Sequence, residues 1–142
     1  MYLAFKKKGK QFSLIETLIR LRTFSKFSHV ELVYELTDTY FKSYSSYPGV
    51  GVRKELFTNL DEWEFVNIDN IKHNNKEKVD EFFVKTKGKG YDYQGVLGFI
   101  FRINENPNKY FCSEWCAEAL GFKNPSKFSP QSLYDLVINM DY

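Results

Sequence analysis

Two residue types suited to covalent chemistry at a carbonyl, cysteine and histidine, are scarce in this chain. There are two cysteines, Cys112 and Cys116, and two histidines, His29 and His73. Cysteine reacts as the thiolate, and a helix N-terminus favours that anion because its first backbone N–H groups have no intrahelical partner. In KYFCSEWCAEAL, residues 109–120, an aromatic pair runs into Cys112 and a helical pattern follows, which sets Cys112 at a helix start. Cys116 falls one turn inside, beside Ala117 and Leu120, and reads as a small core residue. The ordinary alternative for Cys112 is a buried, inert thiol.

A nucleophilic thiol needs a base. His73 lies in IKHNNKEK, a polar turn, and reads as solvated surface. His29 opens an aliphatic strand directly after Ser28, on the face that carries Val33. Alone it also fits a satisfied core histidine. Together, one histidine at a strand start and one cysteine at a helix start form the minimal dyad of a cysteine hydrolase. A third group normally holds the other nitrogen of the imidazole. Ser43 is the candidate, since it lies near where the next strand would return and shares a face with Phe41 and Ser45. Glu31, on the strand and face of His29, is the charged alternative.

Other chemistries find little support. Two cysteines on one helix and two scattered histidines lack structural-zinc spacing. There is neither a Gly-rich phosphate loop nor a GxSxG elbow, so the expected cofactor and metal set is none. The net charge of +2, from 20 basic and 18 acidic residues, provides no electrostatic footprint for nucleic acid. The one basic cluster, KKKGK at 6–10, reads as a solvated turn. Cysteines four apart on a helix are poorly placed for a bridge, which fits free thiols and a reducing compartment. The opening MYLAFKKKGK has no long apolar core, and GVLGFIF at 95–101 is too short to span a bilayer. The expectation is a cytoplasmic or otherwise soluble protein with no export signal and no integral membrane segment.

These residues need elements to position them. The 142 residues suit one domain, 1–142, and an aromatic content of 18% supplies a sizeable core. YLAF at 2–5 reads as a strand and FSLIETLIRLRTF at 12–24 as a helix, with Ser13 a possible cap. SHVELVYEL at 28–36 alternates, with His29, Glu31 and Val33 on one face and Val30, Leu32 and Tyr34 on the other. After a turn at Thr37-Asp38, TYFKSYSS at 39–46 returns as a hairpin partner, broken by Pro48 and Gly49. GVRKELF at 51–57 and WEFVNI at 63–68 are further strands. The second half is mostly helical: 74–86 with asparagine caps, 91–103, apolar on most sides and read as a buried helix in preference to a strand, the helix from Cys112 to Gly121, and 129–138 opened by Ser129 and Pro130. Strands first and helices later predict α+β, with helices packed on an antiparallel sheet or small half-barrel.

At this point the residues resemble a known family. Thr23-Phe24-Ser25-Lys26-Phe27-Ser28-His29-Val30 is similar to the T-x-S-x-[FY]-S-H-V segment of the circularly permuted NlpC-type papain-like cysteine hydrolases, the YiiX-type group. GKGYDYQGVLGF resembles its G-x-x-Y-D-[WY] segment, KYFCSEWCAEALG its nucleophile helix, and FSPQSL its closing [ST]-P-x-x-L. The pieces occur in the permuted order, histidine before cysteine. The resemblance implies Cys112 as nucleophile and His29 as base. The family's third polar position, often a glutamate on the strand after the histidine, falls on Ser43. The Gly-Asp that often opens the family's first strand is absent. The implied chemistry is acyl transfer through a thioester on a small peptide or acyl substrate, with peptidoglycan stem peptides as one class. The lecithin retinol acyltransferase branch of the same permuted fold implies a lipid-directed acyltransferase or thioesterase instead. A binding module that keeps the fold without the activity is the reading from another class.

Overall fold

Alternating apolar and polar residues build five strands: β1 (Tyr2–Lys6), β2 (Val30–Leu36), β3 (Phe41–Tyr47), β4 (Gly51–Phe57) and β5 (Trp63–Asn67). The computed structural model describes residues 1–7, 26–72, 74–92 and 108–140. The strands form one antiparallel sheet in the order β4-β3-β2-β1-β5. The first strand is therefore interior, and Leu3, Ala4 and Phe5 are fully buried. The hairpin turn between β2 and β3 is held by Thr37, whose hydroxyl accepts from the Tyr40 amide at 3.1 Å.

The sheet has two unlike faces. Leu3, Phe5, Val30, Leu32 and Val52 join the core that receives the helices α1 (Lys76–Thr86), α2 (Cys112–Ala119) and α3 (Pro130–Asn139). Trp115 on α2 is fully buried and donates from Nε1 to Thr86 Oγ1 at 2.8 Å, tying α2 to α1. α2 lies against β2 and β3. The other face holds a second apolar cluster, Ala4, Val33, Phe41 and Trp63.

That second cluster shows that the sheet curls. Phe41 on β3 and Phe65 on β5 are three strand spacings apart, about 14 Å in a flat sheet. Their rings lie 5.3 Å apart, and Phe57 on β4 lies 4.9 Å from Trp63 on β5. The two edges of the sheet are brought toward one another around a shared interior.

The mixed α+β architecture with helices on an antiparallel sheet is as expected from the sequence. One element differs. A helix was expected from Tyr91, but Gly90–Tyr91 forms a short strand, β6, paired in parallel with β7 (Lys109–Tyr110). An apolar run does not distinguish strand from helix by itself, and here the backbone of β7 decides, because the Asp92 amide donates to the Tyr110 carbonyl at 3.0 Å. The remainder of that expected helix, and the one expected over 12–24, lie outside the described residues. The Lys89 carbonyl just before β6 accepts from the Val52 amide at 2.8 Å, so this small sheet leans on β4. Among the described residues no helix is long and apolar enough to cross a membrane.

Candidate active site

The start of α2 is fixed from three sides. Phe111 is extended and caps the helix, and its carbonyl accepts the first helical bond, from the Trp115 amide at 3.0 Å. Glu114 reaches back to accept from the Phe111 amide at 3.4 Å. Ser46 on β3 donates to the Tyr110 carbonyl at 2.6 Å, and Ser113 to the Phe128 carbonyl at 2.5 Å. Cys112 is thus the first residue of its helix, held over the sheet, and it is 1% exposed.

His29 sits one residue before β2. Its carbonyl accepts from the Lys6 amide at 2.9 Å, which extends the β1–β2 ladder to the histidine. The ring is buried against the edges of Tyr47 and Trp63, with centroids 5.4 and 6.2 Å away. Nε2 lies 2.5 Å from Glu31 Oε1, and the Cys112 side chain is near enough to raise the ring's pKa. With Nε2 occupied by the carboxylate, Nδ1 is the nitrogen left for the thiol.

Glu31 has no exposed surface, yet every side of its carboxylate is occupied. Oε1 meets His29 and accepts from Arg53 at 2.7 Å, while Oε2 accepts from Ser43 at 2.8 Å and from Arg53 at 3.0 Å. The Arg53 contact is a two-pronged fork, the strongest geometry available to a carboxylate. Sheet register makes it possible. Leu32 pairs with Tyr44 and Val33 with Ser43, so continuing the ladder sets Glu31 across from Ser45, which in turn pairs with Arg53 on β4.

These contacts control protonation. Burial pushes the His29 imidazole down, but Cys112 and Glu31 outweigh it and raise the pKa to about 9. Burial pushes Glu31 up, but His29 and then Arg53 outweigh it and lower the pKa to about 2. At neutral pH the site therefore holds a charged imidazole against a charged carboxylate. For Cys116, burial, with the nearby Cys112 and Glu31, pushes the thiol well above its usual range. Its sulfur lies 3.9 Å from the Val30 carbonyl, fully buried as a core residue.

The sequence-predicted residues thus divide. Cys112, His29 and Glu31 meet. Ser43 does not touch the imidazole as first expected; it stands behind Glu31, whose longer side chain from the same face reaches the ring first. His73 lies outside the described residues. Arg53 was missed, because in GVRKELF it reads as one of several solvated charges. The available signal was indirect: a glutamate inside HVELV needs a cation if that face is buried. Among the described residues no three His, Cys, Asp or Glu side chains are grouped so as to hold a metal ion. Compared with the models of known protein families and with curated proteins, the chain matches none.

Proposed function

We propose that this chain is a cysteine hydrolase of the circularly permuted, NlpC-type papain-like kind, cleaving an amide through a thioester on Cys112. The observation that carries this reading is His29 hydrogen-bonded to the buried Glu31 with Cys112 close enough to act on the ring, its thiol at a helix N-terminus. The curled antiparallel sheet and the order of histidine before cysteine agree with it. In the proposed cycle the proton given up by Cys112 already resides on the His29 imidazolium, and the thiolate attacks the carbonyl carbon. The oxyanion is stabilised by backbone N–H groups at the start of α2. The imidazolium then protonates the leaving amine, and the thioester forms as the C–N bond breaks. Water, losing a proton to His29, attacks the thioester, releases the acid and restores the Cys112 thiolate beside the protonated imidazole. A small peptide, such as a peptidoglycan stem peptide, is the proposed substrate class.

The burial of Cys112, 1% exposed, favours a second reading, a binding module with a structural thiol. A peptidyl vinyl sulfone, with the adduct mapped by mass spectrometry, separates the two. The hydrolase reading expects an adduct on Cys112, none on Cys116, and a rate lowered about a hundredfold or more in His29→Ala. Labelling of Cys116 instead, or a Cys112 rate indifferent to His29→Ala, puts the binding module in its place.

A further inference from the structure

A carboxylate that orients an imidazole has to be held itself. Glu31 is buried with a second charge, Arg53, whose side chain is 14% exposed. A buried ion pair is a poor source of net stability, since desolvating both charges offsets most of their attraction. What this pair does supply is geometry. A guanidinium fork binds a carboxylate in one plane, and with Ser43 on Oε2 this leaves Oε1 aimed at His29 Nε2. Arg53 is itself steered by Tyr47, whose ring lies 5.2 Å from the guanidinium carbon and edge-on to His29. Tyr47 thus touches both ends of the arrangement.

We propose that Arg53 is a positioning residue of the Cys112 site, acting through Glu31 to set the ring plane and tautomer of His29. This rests on the hydrolase reading for its consequence, but the effect on His29 is measurable without it. The groups facing Glu31 are His29, Ser43 from β3, Arg53 from β4 and Cys116 from α2; Cys112 faces His29 and Cys116, and Arg53 also faces Glu55 and Tyr47. Losing the Arg53 charge leaves Glu31 taking up a proton at a higher pH.

The test is a cycle of Arg53→Met, Glu31→Gln and the double variant. It is read by the iodoacetamide rate at Cys112 against pH and by the ¹⁵N signature of the His29 ring. Arg53→Met is expected to slow alkylation about tenfold, the lower end of what losing an outer partner of an oriented imidazole costs at metal sites. It should also add an acid limb to the pH profile. The double variant should be no slower than Glu31→Gln, because one residue acts through the other. Arg53→Lys, which keeps the charge and loses the fork, should fall between wild type and Arg53→Met. If Arg53→Met does not fold, the double variant, with both charges removed, and Arg53→Lys supply the comparison with Glu31→Gln. Multiplying losses in the double variant overturn the proposal. So does an unchanged pH profile and His29 signature with only a lower unfolding midpoint. Should the Cys112 thiol prove inert in the wild type, the hydrolase reading fails, and the His29 signature alone still decides the role of Arg53.

Discussion

A buried imidazole ordinarily sheds its proton, because burial penalises the charged form. At His29 two neighbours reverse that, and the pKa stands at about 9 against the ordinary 6.5. Each neighbour can be removed separately. In ¹H–¹⁵N spectra the His29 midpoint should fall in Cys112→Ala and fall again, by a separate amount, in Glu31→Gln; an unmoved midpoint in both would mean that neither acts on the ring. The same shifts set how stability follows pH. Raised in the folded chain, His29 contributes fully below about 6.5, and the contribution is lost as pH rises through about 9. Lowered in the folded chain, Glu31 contributes fully above about 4.5 and loses its contribution as pH falls through about 2. Urea unfolding should therefore separate wild type from His29→Ala more widely at about pH 5.5 than at about pH 9.5.

Caps and turns explain the elements. Ser129 Oγ accepts from the Ser132 amide at 3.1 Å to open α3, and Asn75 accepts from the Glu77 amide at 2.9 Å to open α1. Both starts are visible as residue types in the sequence. The β3–β4 turn carries a contrast that is not. Gly49 and Gly51 both have left-handed backbone, at φ +79 and +83. A β-carbon on Gly49 would meet nothing, whereas one on Gly51 would lie 2.1 Å from the Lys89 carbonyl oxygen. That oxygen is backbone and is already bonded to Val52. Gly49→Ala should cost only about 1–2 kcal/mol of left-handed strain. Gly51→Ala adds a clash to the same strain and should cost several times more, with the contact between β4 and the Gly88–Lys89 segment lost. Denaturant unfolding of the two variants measures the difference, and equal costs would contradict it.

At the scale of the molecule, the curl of the sheet is what joins the remote pieces. Phe41 stacks on Phe57 at 4.9 Å and meets Trp63 and Phe65 edge-on at 5.2 and 5.3 Å, filling the interior that the curl encloses. Phe41→Ala should cost about 3–5 kcal/mol, as large-to-small changes in a packed core do. Val84→Ala, at a side chain 75% exposed, should stay within about 0.5 kcal/mol. Thermal or urea unfolding checks both, and a mild Phe41→Ala would mean that the sheet closes without its aromatic interior. The sequence by itself determined the strands from residue 28 to 68 within a residue or two, the helix starts at Cys112 and Pro130, and the pairing of Cys112 with His29 as candidates. Those features depend on periodicity and capping within a few neighbours. Tertiary structure decided what stands around them. Arg53 reaches Glu31 across 22 residues, β6 pairs with a strand beyond residue 107, and Ser43 serves the carboxylate rather than the ring. Each of these is set by strand register and sheet curvature, which place side chains by their row on the sheet and not by their distance along the chain.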